Sequence, residues 1–346
     1  MSQALRIIDA DFNRAREALR TAEDGVRFLL NDRKLTYQIK RLRHDLSKVL
    51  LTHFQPEQLS RYRESEQDAG RHDDFRSESC PPPEIIRRNL RRAGEALRTL
   101  EEYARSFSGK LSGEMHNLRF QLYRIEREVT LLLARPRLPR PCLCVVLNLT
   151  EQALFKQLAL RVARAGPEMV QIRYKGEDVP FFLEMSRWLR ERLTRETLLV
   201  INDRPDVCLA VGAAGVHLGQ KDLPADLARR LLPEKLVGIS CQTLPQLHQA
   251  ARNGADYAGI GPVFPTPVKP EKTALGVKRL TALVKRSKIP VIAIGGITET
   301  NIEQVVETGV SGIAVISAVA HSACPERTIQ RMKKVMHCFC PPIQHE

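Results

Sequence analysis

The chain has 346 residues, enough for two domains, and 43% of them are hydrophobic, which excludes a mainly disordered protein. No apolar run reaches the roughly 18 residues that span a membrane, and residues 1–11 lack the apolar core of a signal peptide, so we expect a cytoplasmic protein without a membrane partner. The net charge of +14 is shared equally by the parts before and after Arg140 and forms no basic block, so small phosphorylated molecules rather than nucleic acid are the expected partners.

The first predicted domain, residues 1–135, is helical and internally repeated. The sequence Glu17-Ala-Leu-Arg-Thr21 recurs as Glu95-Ala-Leu-Arg-Thr99, and each copy is followed by a second helical stretch, 35–51 and 115–133. The polar segment 57–83 between the copies is bounded by prolines, which is typical of a long loop. These patterns predict a duplicated helical hairpin that forms a four-helix bundle.

Charged residues repeat at matching places in the two copies. They are Glu17, Arg20, Glu23, Asp24 and Arg27 in the first copy, and Glu95, Arg98, Glu101, Glu102 and Arg105 in the second. Ion pairs between neighbouring turns on a solvated helix face are the simpler interpretation. A paired polar site between the repeats is the alternative, and the duplication alone does not decide between them.

A proline-rich linker, 136–141, precedes the second predicted domain, 142–346. Eight short apolar runs follow it, mostly separated by amphipathic segments: 143–149, 169–173, 198–202, 215–218, 236–240, 257–261, 291–295 and 312–317. Runs rich in Val, Ile and Leu are typical of buried parallel strands. The pattern predicts an α/β protein, a TIM (β/α)₈ barrel behind an all-α bundle. An open doubly wound sheet is disfavoured, because no Gly-x-Gly-x-x-Gly follows the first run.

Eight cysteines are present without any Cys-x-x-Cys pair or zinc-like spacing. Cys142 and Cys144 alternate in an apolar run and are predicted to be buried thiols. Cys338 and Cys340, near the tail, have no assigned role. Reduced cysteines throughout fit the expected compartment.

Polar side chains lie on one face at the end of the second strand. In a barrel, functional residues lie at this C-terminal end of the strands. Gln171, Arg173 and Lys175 alternate along this strand end, and an inward Arg and Lys need an anionic ligand or a counter-charge. The strand therefore predicts a phosphate contact.

Two acids follow the neighbouring strands three and four. A lone Asp at such a place more often caps a helix than binds a metal, and Asp222 could cap the helix that begins near Pro224. Two carboxylates beside phosphate-binding cations are also how Mg²⁺ is held. Their placement beside Arg173 and Lys175 favours the metal.

Strands six to eight end in a second set of anion-binding features. Thr266 and Lys269 lie in a proline-stiffened loop, and bare backbone at Gly295 and Gly296 precedes Ser317 at the end of strand eight. Backbone N–H groups at this place commonly bind phosphate. Two phosphate sites, one of them for a diphosphate with Mg²⁺, predict a transferase that releases pyrophosphate.

Residues 141–335 resemble the thiamine-phosphate synthase family in the order and spacing of their motifs. The matching motifs are Gln171-x-Arg173-x-Lys175, Asn202-Asp203, Gly215-Val-His217-Leu-Gly219-Gln220-x-Asp222, Gly238-Ile-Ser240, Gly259-Ile-Gly-Pro-Val-Phe-Pro-Thr266, Lys269, Gly295-Gly296-Ile297 and Ile316-Ser317. The resemblance implies that an aminopyrimidine diphosphate is joined to a thiazole phosphate, giving thiamine phosphate and pyrophosphate.

The resemblance also implies a role for each matching residue. Contacts to the pyrimidine diphosphate would come from Gln171, Arg173, Lys175, Asn202, Ser240 and Lys269. Mg²⁺ would be held by Asp203 and Asp222, and the thiazole phosphate by Thr266, Gly296, Ile316 and Ser317. Arg173, Lys175 and Lys269 would stabilise the departing diphosphate. Two positions depart from the family pattern, Val268 in place of a hydroxyl residue and Gln242 in place of a histidine.

The N-terminal domain resembles a helical domain fused ahead of some bacterial thiamine-phosphate synthases. Its motif begins Arg6-Ile-Ile-Asp9-Ala-Asp-Phe-Asn13 and continues through Glu17 to Arg20, Glu23 and Asp24. That resemblance implies phosphorylation of hydroxymethylpyrimidine phosphate, although the chain has no Gly-x-x-x-x-Gly-Lys nucleotide loop. A docking or dimerisation bundle is the alternative, and a homo-oligomer is left open.

Two other functions compete for the barrel. One is a phosphate-binding isomerase of another pathway that uses Asp203 and Asp222 as acid and base. The other is a non-catalytic regulator with the helical domain as a partner surface. The complete set of Arg173, Lys175, Asp203, Asp222 and Lys269 disfavours the regulator.

Overall fold

The computed structural model describes residues 2–61, 79–267 and 273–339 and divides the chain into two compact units, residues 1–134 and 135–346. Each unit has its own apolar core. Among the described residues, no helix is long and apolar enough to cross a membrane.

The first unit contains four long helices, as the repeat predicts. They are α1 (Ser2–Gly25), α2 (Arg33–His53), α4 (Pro82–Ala104) and α5 (Gly109–Ala134), with a short helix α3 (Pro56–Ser60) between the copies and a π-helical turn (Val26–Leu30) after α1. The prediction of a continuous loop over 57–83 is wrong at both ends, because α3 begins at Pro56 and α4 begins at Pro82. In the first turn of α3, the Gln55 N–H donates to Gln58 Oε1 at 3.1 Å. Residues 62–78 lie outside the described part.

The second unit is a closed barrel of eight parallel strands in sequential order, so the predicted fold is confirmed. The strands are β1 (Cys142–Leu149), β2 (Met169–Tyr174), β3 (Leu198–Asn202), β4 (Gly215–Leu218), β5 (Leu236–Cys241), β6 (Tyr257–Ile260), β7 (Val291–Ile294) and β8 (Gly312–Val315). Because all strands run the same way, their C-terminal ends meet at one end of the barrel.

Helices follow the strands and cover the barrel. They are α6 (Gln152–Ala165), α7 (Val179–Arg190), α8 (Pro205–Val211), α9 (Ala225–Leu231), α10 (Leu244–Arg252), α11 (Gly276–Arg286), α12 (Ile302–Val306), α13 (Ser317–Ala320) and α14 (Pro325–Phe339). Asp178 caps α7 through Phe181 N–H, and Thr243 caps α10 in a capping box with Gln246. These two caps end the loops after β2 and β5, so the polar side chains at the ends of those strands stay close to the barrel opening.

Strands seven and eight end earlier than the sequence predicts. β7 stops at Ile294 because Gly295 and Gly296 have φ values of +100° and +67°, which only glycine adopts without strain. β8 stops at Val315, and Ser317 begins α13 instead of ending the strand.

The barrel interior is a separate small core, formed by side chains that point inward from alternate strand positions. It contains Cys142, Cys144, Val146, Met169, Val200, Tyr257, Ile292 and Ala314. Cys142 and Cys144 are buried and unpaired, which confirms the prediction, and all other described cysteines are also free thiols. Cys340 lies outside the described residues. This core closes the lower end of the barrel and leaves the upper end for a ligand.

Candidate active site

A cavity of about 550 Å³ opens at the end of the barrel where the strands terminate. Ten of the predicted site residues line it: Gln171, Arg173, Lys175, Asn202, Asp222, Ser240, Thr266, Gly296, Ile316 and Ser317. Asp203 lies beside them and forms an ion pair with Lys175. Lys269 and Val268 lie outside the described residues. The structure therefore brings together every predicted site residue that it describes.

The end of β2 carries three polar side chains into the cavity, as its alternation predicts. The Gln171 amide donates to Asn202 Oδ1 at 2.6 Å, and both side chains are buried. Arg173 Nη1 donates to Asn148 Oδ1 at 3.1 Å on the neighbouring strand β1. These contacts hold the amides and the guanidinium in place, while the Lys175 ammonium extends further into solvent.

Asp203 and Asp222 meet at the mouth of the cavity with Lys175 as their counter-charge. Burial raises the pKa of Asp222, and a hydrogen bond with Asp203 raises it further, so the two carboxyl groups are in contact. Asp203 has a φ of +62°, a left-handed conformation that is uncommon outside glycine and is often found at functional sites.

Neither acid caps a helix. Asp222 Oδ2 accepts instead from the Gly219 N–H at 2.6 Å, and α8 and α9 begin without a side-chain cap. The capping alternative is therefore wrong. In the described part of the chain, no group of three or more His, Cys, Asp and Glu side chains converges on one point. A divalent cation here would have two carboxylate ligands, and its other ligands would be water or substrate oxygens, which suits Mg²⁺.

The loop after β7 presents bare backbone on the opposite side of the cavity. A Cβ at Gly295 would lie 2.6 Å from Pro262 Cα, and one at Gly296 would lie 2.6 Å from the Pro265 carbonyl oxygen. Asn301 Nδ2 donates to the Gly296 carbonyl at 2.9 Å and holds this turn. Only glycine lets this backbone approach the strand-six loop so closely, beside Thr266 and Ser317.

The comparisons with known proteins agree with this geometry. Residues 143–319 match the family model described as thiamine monophosphate synthase. The thiamine-phosphate synthase of Synechococcus sp. (strain CC9605) is 38% identical over 325 residues, which is 92% of this chain and 90% of that protein. That of Thermosynechococcus vestitus is 36% identical, covering 94% of this chain and 93% of that protein.

The chain belongs to the thiamine-phosphate synthase family.

Its structure agrees with this membership. The thiamine phosphate pyrophosphorylase of Pyrococcus furiosus superimposes with a TM-score of 0.52 at 35% identity, covering 57% of this chain and 96% of that one. A thiamine-phosphate synthase is a transferase of thiamine biosynthesis that uses a metal ion and small phosphorylated substrates, so the predicted enzyme class is confirmed. The isomerase and the regulator are not supported.

His217 and Tyr257 line the cavity, and neither carries a predicted role. His217 Nε2 lies 3.0 Å from Ser240 Oγ, and His217 Nδ1 lies 3.2 Å from the Tyr257 hydroxyl. Alternation along β4 was the signal that could have found His217. Gly215 and His217 lie on one face of this strand, and that face points into the barrel, where His217 lines the cavity. Tyr257 gave no signal, since tyrosine is an ordinary strand residue.

The Gln242 departure from the family pattern has a structural consequence. Gln242 Nε2 donates to the Gly261 carbonyl at 3.1 Å, and its backbone N–H donates to Gln246 Oε1 at 2.8 Å. The side chain thus bridges the loop after β5 to the end of β6. Because the Gln242 amide is uncharged and does not titrate, this link between the two loops does not depend on pH.

The helical unit of this thiamine-phosphate synthase matches the ThiD2 family model over residues 6–128. Its repeated charges combine both interpretations of the sequence. Arg20 pairs with Glu23 and Asp24 between neighbouring turns, and Arg98 pairs with Glu101 and Glu102 in the same way.

Two of these acids, however, are not on a solvated face. Glu23 and Glu101 are each only 3% exposed, and each binds an arginine of the next long helix. Arg43 Nε donates to Glu23 at 3.1 Å, and Arg119 Nε donates to Glu101 at 2.6 Å. The duplication therefore copied a buried ion pair together with a surface one.

Proposed function

We propose that the barrel joins 4-amino-2-methyl-5-(diphosphomethyl)pyrimidine to thiazole phosphate, making thiamine phosphate and pyrophosphate. The bond between the pyrimidine methylene carbon and the diphosphate oxygen breaks first, and the electron pair leaves on the oxygen. The thiazole nitrogen then bonds to that carbon. The observation that carries the proposal is the convergence of Arg173, Lys175, Asp203 and Asp222 at one end of the barrel.

The β2 and β3 side chains suit the pyrimidine diphosphate. The paired amides of Gln171 and Asn202 offer donors and acceptors to a planar heterocycle, and Ser240 lies in the same cavity. Arg173 and Lys175 supply positive charge for the diphosphate, the first as a planar fork and the second as a point charge. Lys269 is proposed as a third cation from its sequence position alone.

Mg²⁺ is proposed as the metal, with Asp203 and Asp222 as its protein ligands. Bound there, it would neutralise charge that develops on the leaving diphosphate. Lys175 already faces Asp203, so its ammonium would share that task from the side of the protein. The reaction needs no strong base, because the thiazole nitrogen bonds through a lone pair and carries no proton that must be removed.

The opposite side of the cavity suits the thiazole phosphate. Thr266 and Ser317 have hydroxyl donors, and Gly296 and Ile316 contribute backbone. In this proposal the two phosphate sites lie on different sides of one cavity. The thiazole nitrogen can then face the methylene carbon of the pyrimidine between them.

Pyrophosphate release tests this proposal. With both heterocycles and Mg²⁺ present, we expect the full chain to release pyrophosphate, and removal of either heterocycle or chelation of the metal should stop it. Asp203→Ala should also abolish release, because it removes a metal ligand and the partner of Lys175. Equal rates for the native chain and Asp203→Ala would refute the metal assignment.

For the helical unit we propose phosphorylation of hydroxymethylpyrimidine phosphate, the step before coupling. The support is the ThiD2 match and the set of buried acids on α1, where Asp9 and Asp11 are 3% and 7% exposed. Asn13 Nδ2 donates to the Asp9 carbonyl at 2.9 Å and orders this end of the helix.

ATP-dependent phosphorylation by the full-length Asp203→Ala variant tests the kinase proposal, because that variant cannot consume the product. We expect hydroxymethylpyrimidine diphosphate to accumulate. No turnover at high protein concentration would remove the kinase and leave a docking bundle. A homo-oligomer and a cytoplasmic location remain further proposals, which light scattering and cell fractionation would test.

A further inference from the structure

The rings of His217 and Tyr257 approach each other inside the barrel across strand β5, because the β5 residue between them is a glycine. Gly238 on β5 lies directly opposite His217 on β4 and Tyr257 on β6. A Cβ at Gly238 would overlap the Tyr257 ring, and one at Gly259 would lie 2.9 Å from His217 Cε1. The two glycines therefore leave the space in which the rings approach to 5.5 Å between centroids.

The buried phenol determines the direction of the hydrogen bonds. Tyr257 is fully buried, and burial raises the pKa of its hydroxyl, so the group stays neutral and carries a proton to donate. In the described part of the chain, the only hydrogen-bond partner of the Tyr257 hydroxyl is His217 Nδ1. A buried donor without an acceptor is costly, so the phenol donates to Nδ1.

That donation selects one tautomer of the imidazole. With Nδ1 acting as the acceptor, a neutral His217 carries its proton on Nε2, which then donates to Ser240 Oγ at 3.0 Å. Ser240 Oγ has no second hydrogen-bond partner among the described residues. Its own proton is left to point into the cavity that it lines.

We propose that His217, held by Tyr257, is a positioning residue that makes the Ser240 hydroxyl a hydrogen-bond donor to the pyrimidine diphosphate. The inference rests on the proposed function for the identity of the substrate. The group that meets Ser240 must then be an acceptor, either a ring nitrogen or a diphosphate oxygen, and not the exocyclic amine. His217 acts only through Ser240 and does not touch the reacting atoms.

The tautomer can be observed directly in the ligand-free native protein. Long-range ¹H–¹⁵N spectra of histidine-labelled full chain should show His217 protonated on Nε2 and bare on Nδ1, with the signals assigned by their loss in His217→Gln. Tyr257→Phe should remove this preference. A proton on Nδ1 in the native chain would overturn the proposal. This result does not depend on turnover, so it is separate from any failure of the proposed reaction.

A double-mutant cycle tests whether His217 acts through Ser240. We expect His217→Asn and Ser240→Ala each to lower kcat/KM by about tenfold, the loss of one hydrogen bond, and the double variant to lose no more than Ser240→Ala alone. His217→Gln, whose amide reaches closer to the Nε2 position, should recover most of the activity. Losses that multiply, or no rescue by Gln, would contradict the proposal.

The same kinetics identify the acceptor. A loss confined to kcat indicates a diphosphate oxygen, on which charge grows as the bond breaks, and a rise confined to KM indicates a ring nitrogen. His248→Asn is the matched control, because His248 lies on the outer helix α10 away from the cavity and should leave both parameters unchanged.

Discussion

Asp222→Asn is expected to lower the rate of pyrophosphate release by about 100- to 1000-fold. The amide keeps the size of the side chain and can still accept from the Gly219 N–H, which Asp222 binds at 2.6 Å. It loses the charge that would hold the metal. Steady-state pyrophosphate release at saturating substrate and Mg²⁺ measures the change.

The same variant should not lose stability. Burial and the contact with Asp203 raise the pKa of Asp222 above its usual 3.8, so the folded ligand-free protein binds this proton more tightly than the unfolded chain does. The ionised carboxylate is therefore unfavourable at neutral pH, and this penalty disappears as the pH falls toward 3.8. We expect the Tm of Asp222→Asn to equal or exceed that of the native chain at pH 7, with the difference closing in acid.

Asp226→Asn is the matched control for this experiment. It is the same substitution four residues further on, in the first turn of α9, and the side chain does not line the cavity. Its activity and Tm should stay native. A fall in the Tm of Asp222→Asn comparable to its loss of activity would mean that Asp222 has a structural role.

Arg119→Met should destabilise the helical unit by about 2–3 kcal/mol. Arg119 is 12% exposed and binds the buried carboxylate of Glu101 at 2.6 Å. Methionine fills the space but leaves a buried charge without its closest partner. His116 at 3.1 Å and Arg98 at 3.0 Å remain, which keeps the loss below that of an isolated buried charge.

Arg98→Met offers a matched comparison at the same carboxylate. Its side chain is 52% exposed, so water screens the lost contact and the expected cost is below about 1 kcal/mol. Native-state hydrogen exchange of the α4 and α5 amides measures both variants, and the barrel amides serve as an internal reference. Equal losses in the two variants would contradict the importance of burial at Glu101.

The contribution of this pair also has a predictable pH dependence. Burial alone would raise the pKa of Glu101, but hydrogen bonds from Arg119 and His116 hold it below its usual 4.5. A depressed carboxyl pKa stabilises the fold above 4.5 and stops doing so as the pH falls through the folded value. The difference between the native chain and Arg119→Met should therefore shrink below pH 4.5.

The alternation of side chains and the points where the apolar runs stop made the barrel, and most of the polar side chains that line its cavity, predictable. Parallel buried strands must be apolar along their length, so the first polar residues after each run mark the C-terminal end of the barrel. Gln171, Arg173, Asn202, Ser240 and Ser317 were found in this way, and all five line the cavity. The boundaries of β7 and β8 were less predictable, because the left-handed backbone at Gly295 is set by the loop packed against it.

The helical unit shows the limit of such reasoning. The repeated charges of α1 and α4 were visible, but a helix face of alternating charge has the same pattern whether water or another helix covers it. Only the positions of Arg43 and Arg119 on the next helices show that Glu23 and Glu101 are buried.

The sequence by itself determined the fold class, the end of the barrel at which polar side chains gather and the residue types available there, since these depend on local periodicity and on where each apolar run stops. The tertiary structure alone decided which of those residues touch. Asp203 contacts Asp222, and hydrogen bonds link Tyr257 through His217 to Ser240. Both sets of contacts join different strands, and the spacing of strands in a closed barrel cannot be predicted from a local sequence pattern.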